Sequence, residues 1–168
     1  MKTWLALTTL FLFSSASTFV LGAEQLRVFG WVEEGKLLPE KVSLKTKLDT
    51  GALTSSMDAK ELESFKRDGA DWVRFKVEVK DEDSKQNVSI PIERKVERRV
   101  KVRGAGGAEH RPVVRMQICV GDKILNEEFS LKDRGQMLYP VLIGRRTLER
   151  LGAVDVSKTF TIEPNCKV

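Results

Sequence analysis

Lys47-Leu48-Asp49-Thr50-Gly51-Ala52-Leu53-Thr54-Ser55-Ser56-Met57 is the stretch whose reading decides the fold. Just before it, Val42, Leu44, Thr46 and Leu48 alternate with Ser43, Lys45 and Lys47. A period of two is that of a strand with one buried face. The strand delivers Asp49 to its end, into a tight Asp-Thr-Gly loop. A small residue, Ala52, and a run of hydroxyls follow. A carboxylate held this way, facing water, suits hydrolysis by carboxylates.

Such hydrolysis needs two carboxylates close together sharing one proton, because like charges that near cannot both ionise. One acts as base toward a water while the other donates to the carbonyl oxygen, and the pair titrates as a unit. In this use Asp49 is the base, Thr50 locks the loop through its hydroxyl, and Gly51 lets the backbone approach the partner carboxylate. The chain has one Asp-Thr-Gly and no Asp-Ser-Gly. The second carboxylate is therefore expected from a second copy through a two-fold axis, as a homodimer. Glu109, Asp122 and Asp133 are the alternatives within one chain. Asp-x-Gly is also ordinary turn chemistry, so the remaining parts must come from elsewhere in the chain.

The flanking sequence reads as short strands. Leu26–Val32 is expected as a strand closed by a polar turn at Glu33–Lys36. Asp58-Ala59-Lys60-Glu61 resembles a capping box and predicts a helix to about Arg67, stopped by Asp68-Gly69. Trp72–Val79 alternates, and Asp81–Gln86 is a charged turn. Val88, Ile90 and Ile92 continue as a strand in which Pro91 marks an edge. Arg94–Arg103 and Arg111–Val120 read as two extended arms joined at the Gly-rich tip Gly104–Ala108. No Lys-Ser or Lys-Thr ends that tip and no helix pattern opens after it, which excludes a phosphate-binding loop. Lys123–Leu131 and Tyr139–Gly144 are further strands, and Arg145–Leu151 is a short helix ending at Gly152. Val154–Val156 and Phe160–Ile162 are expected as the closing strands. Many short strands with one or two short helices predict a mainly β domain of closed barrel type.

The order of these parts resembles the retropepsin family, the single-domain aspartic peptidases that include the retroviral proteases. The residues that carry the resemblance are Leu48 to Ala52, the hairpin Arg103 to Arg111, Val113 to Gly121, and Leu142-Ile143-Gly144-Arg145. Leu48 to Ser56 and Arg111-Pro112-Val113-Val114 are most similar to a bacterial branch often labelled ATP-dependent zinc proteases. The resemblance implies an acid-protease barrel and hydrolysis of a protein or peptide substrate, with no cofactor. It implies that Ala52, the flap glycines Gly104, Gly106 and Gly107, and Ile143 with Gly144 line the substrate cleft. The segment Met57–Val102 is longer and more charged than in the retroviral pattern, and the flap tip carries Glu109 and His110.

Composition narrows the classes further. The chain has 168 residues, 41% hydrophobic and 32% charged, which describes one ordinary folded domain. Its formal net charge is +5. The excess is modest and spread along the chain, so it argues against nucleic acid and favours acidic partners. Met1-Lys2, the apolar run Trp4–Phe13 and Val20-Leu21-Gly22-Ala23 read as a cleavable export signal over residues 1–23. The domain is then 24–168, extracytoplasmic, periplasmic in a bacterium, and membrane-bound only where the signal is uncleaved. Cys119 and Cys166 are the two cysteines. Export permits a disulfide between them, and a buried inert thiol at Cys119 is the other reading. His110 is the single histidine and no C-x-x-C or H-E-x-x-H spacing exists, so no metal is expected. The competing function is a non-catalytic module of the same fold that binds peptides or envelope polymers.

Overall fold

A computed structural model describes residues 26–104, 107–133, 135 and 138–167. The expected signal at 1–23 lies outside the described residues. The chain is mainly β. In chain order its strands are β1 (Val28–Leu38), β2 (Val42–Leu48), β3 (Ser55–Asp58), β4 (Lys60–Arg67), β5 (Ala70–Lys80), β6 (Asn87–Gly104), β7 (Gly107–Val120), β8 (Lys123–Lys132), β9 (Val141–Ile143) and β10 (Ala153–Thr159). One helix, α1 (Arg145–Leu151), lies between β9 and β10.

The strand order is β10-β1-β2-β9-β3-β8-β7-β6-β5-β4, with an added pairing of β1 with β7. That pairing sets Gly35 opposite Val120 and Leu38 opposite Gln117. The ladders therefore return to β1 after passing through β2, β9, β3, β8 and β7. Leu37, Leu44, Leu48, Met57, Ile118, Phe129, Leu131, Val141 and Ile143 from these six strands are buried in one cluster. Each such side chain contributes about 1.5–3 kcal/mol by leaving water.

Beyond this ring, β4, β5 and the first half of β6 form an arm. The expected alternation of β5 holds: Val73, Phe75 and Val77 are fully buried and join the same core. β6 changes partner midway, from β5 over Asn87–Lys95 to β7 from Val96 onward. Pro91 sits where only β5 pairs, so its missing N–H breaks no second ladder.

Four expectations are corrected. No helix forms over 58–67; Asp58 ends β3, and Lys60–Arg67 is the edge strand β4, paired to β5. Asp68-Gly69 does not end a helix but turns a hairpin. Both residues have positive φ (50° and 75°), and Arg67 pairs with Ala70. Asp-Gly is the preferred pair for such a two-residue turn. Glu33–Lys36 is not a turn: β1 runs through it. Glu33 is fully buried, and its carboxylate accepts the amides of Gly30, Thr161 and Ile162 and the Thr161 hydroxyl. Those bonds also replace the closing strand expected at Phe160–Ile162, where no ladder forms. Cys119 and Cys166 are joined in a disulfide, which decides between the two readings of these cysteines.

Candidate active site

The Asp-Thr-Gly loop connects β2 to β3, and β9 lies between those two strands. β2 runs parallel to β9 with Leu48 opposite Ile143, and β3 runs antiparallel with Ser56 opposite Leu142. The loop thus closes over the end of β9. The Asp49 amide donates to the Ile143 carbonyl at 2.8 Å, which pins the residue to the ring.

Asp49 Oδ1 accepts the amides of Gly51 at 2.9 Å and Ala52 at 3.3 Å. Its other oxygen, Oδ2, lies 3.3 Å from Lys47 Nζ. Partial burial raises the affinity of this carboxyl for a proton. The Gly51 amide, the Lys47 ammonium and the Ala52 amide outweigh it and hold the group below the usual carboxylate range.

Arg145 locks the loop from the start of α1. Its amide donates to the Ala52 carbonyl at 2.9 Å, and its guanidinium donates to the carbonyls of Thr50 at 2.9 Å and Gly51 at 3.1 Å. The Thr50 hydroxyl, expected in that role, is exposed and has no partner among the described residues. Beneath the loop, the Gly144 amide donates to Ser55 Oγ at 3.1 Å, and Ser55 Oγ meets Thr147 Oγ1 at 3.2 Å.

Asp49, Thr50, Gly51 and Ala52 are brought together, with Thr50 and Gly51 exposed and Ala52 half-buried. Ile143 and Gly144 are beside them but buried, Ile143 completely. Ile143 positions the loop through its carbonyl, and its side chain packs in the core. Gly104 and Gly107 form the last pair of the β6–β7 hairpin, and Gly106 lies outside the described residues. Glu109, Asp122 and Asp133 do not bond Asp49. Glu109 pairs with Arg111 and Lys132, Asp122 with Arg27, and Asp133 with Lys60.

Lys47 and Arg145 are the site residues that motif reading missed. Lys47 stands two positions before Asp49 on a strand, so the same alternation that placed Asp49 also puts it on that face. Arg145 closes the Leu142-Ile143-Gly144-Arg145 motif but was given no role there, because its reach to the loop depends on the packing of α1.

A family model described as the retropepsin-like aspartic endopeptidase RimB matches residues 28–165. The chain belongs to this RimB-like family. A protein of Shewanella pealeana named probable alpha-L-glutamate ligase is 30% identical over 149 residues, covering 88% of this chain and 31% of that protein. A protein of the same name from Parasynechococcus marenigrum is 35% identical over 114 residues, covering 67% of this chain and 24% of that protein. The chain thus spans about a third or less of the curated relatives it matches. The crystal structure of a Legionella pneumophila protein of unknown function superposes with a TM-score of 0.67 at 32% identity, covering 80% of this chain and 96% of that one.

Proposed function

We propose that this member of the RimB-like family is an aspartic endopeptidase, completed when two copies bring their Asp49 carboxylates together. The observation that carries the reading is the setting of Asp49. One oxygen is fixed by two amides at a strand end, the loop face is exposed, and no other carboxylate of the described residues bonds it. In this reading the carboxylate so held is half of a proton-sharing pair. One Asp49 takes a proton from a water as that water attacks the peptide carbonyl. The other, protonated, donates to the carbonyl oxygen. In this reading the ring of ladders is the closed acid-protease barrel, and the β6–β7 hairpin is the flap over the cleft.

The names of the ligase relatives support glutamyl peptides as the substrate class, and the basic charge of this chain agrees with an acidic substrate. Export through residues 1–23 is part of the same reading, and the Cys119–Cys166 disulfide supports an oxidising compartment.

The test is Asp49→Asn in the purified chain. It keeps the fold and the sedimentation behaviour of the native dimer and abolishes cleavage of an unfolded acidic protein at mildly acidic pH. Cleavage at the wild-type rate by this variant would sink the proposal.

A further inference from the structure

Among the described residues, Lys47 is the one cation paired with Asp49, and the proposed reaction does not use it. Its Nζ lies 3.3 Å from Oδ2, while Oδ1 is built into the loop by the Gly51 and Ala52 amides. Oδ2 is therefore the oxygen left for chemistry, and an ammonium sits on it. That placement opposes catalysis, because a cation favours the ionised carboxylate and weakens it as a base. In a dimer, two such ammonium groups would flank the pair. Asp49 is the sole ion-pair partner of Lys47 among the described residues, and the Lys47 side chain is 36% exposed. No second ion pair or side-chain hydrogen bond among the described residues holds it against a swing to another carboxylate. Arg145, also at the loop, has its guanidinium committed to the Thr50 and Gly51 carbonyls. β9 brings no charge, since it is Val141-Leu142-Ile143.

We propose that Lys47 is a specificity-determining residue that leaves Asp49 to bind an acidic substrate side chain beside the scissile bond. The inference rests on the aspartic endopeptidase reading. An acidic substrate draws the ammonium off Oδ2 and so restores the basicity of the pair. A neutral substrate leaves the ammonium in place. The preference is thereby built into turnover as well as binding.

The experiment compares a glutamate-rich peptide with its glutamine-substituted counterpart. With wild-type protein the glutamate peptide is favoured by roughly tenfold or more in kcat/KM, the scale of one charge-assisted hydrogen bond. Lys47→Met removes the preference and moves the pH profile of kcat/KM upward, while Lys47→Arg keeps the preference. An unchanged ratio in Lys47→Met overturns the proposal. A binding arm stands apart from turnover. Asp49→Asn binds the glutamate peptide more tightly in calorimetry, and the added Lys47→Met change abolishes the difference. Equal binding of both peptides to Asp49→Asn also overturns it. If that difference holds and wild type cleaves neither peptide, the peptidase reading fails and the role of Lys47 in acid recognition stands.

Discussion

An added methyl group at Gly144 would lie 2.6 Å from the carbonyl carbon of Thr54 and 2.8 Å from its nitrogen. Those atoms are backbone of the Asp49 loop and cannot give way without moving it. Gly144→Ala is therefore expected to cost about 1–3 kcal/mol, as overpacking does. Denaturant unfolding measures the loss, and cleavage falls by more than stability explains because the loop shifts. At this scale the place of Asp49 at a strand end was legible from three residues and the strand before them. The hydroxyl of Thr50 was not, since its use depended on a neighbour that packing did not supply. Ile143 was assigned to the cleft from its place in a motif, yet its apolar side chain is better satisfied in the core.

Element boundaries followed the sequence where local signals agreed with packing. α1 occupies the residues expected of it, Arg145–Leu151, and the alternation of β5 matches its buried face. The helix expected over 58–67 failed because a capping pattern competed with an Asp-Gly hairpin turn and with six pairings available along β5. Cross-strand pairing won over local propensity. The turn after β5 gives the prediction at this scale. Asp81 is buried, and its carboxylate accepts the Ser84 hydroxyl at 2.6 Å, the Ser84 amide at 2.9 Å and the Ser43 amide of β2 at 2.8 Å. The Ser84 hydroxyl leads, and with these amides it outweighs burial to hold the carboxyl below its ordinary value. A carboxyl lowered on folding stabilises above its unfolded pKa of about 3.9, and this is lost as pH falls through the lower folded value. Asp81→Ala should lose about 1–3 kcal/mol at neutral pH. Its stability should also fall less steeply than that of wild type as the solution is acidified below about pH 4. Equal acid slopes in the two unfolding series would rule this out.

Across the whole molecule, the tail after β10 is the part that sequence patterns described least well. It is held by no ladder. Its Thr161 and Ile162 amides donate to buried Glu33 on β1, and Cys166 is bonded to Cys119 near the end of β7. β1 and β7 are also the two strands whose pairing returns the ladders to their start. The tail therefore fastens both sides of that seam. Neither partner was readable alone: Glu33 looked like turn polarity, and Cys119 sits in an apolar strand where a thiol fits equally well. The two fastenings can be separated by experiment. The disulfide spans 47 residues of chain. In the loop-entropy model a cross-link of that span stabilises by about 4 kcal/mol through the unfolded state. The double variant Cys119→Ala, Cys166→Ala is expected to lose most of that in equilibrium unfolding, with a larger denaturant m-value from a less compact unfolded chain. It should keep cleavage, because the Asp49 loop is held by β9, Arg145 and Gly144, and among the described residues no hydrogen bond or ion pair joins it to the tail. Loss of activity at a temperature where the variant remains folded would mean that the tail supports the site through the β1–β7 seam.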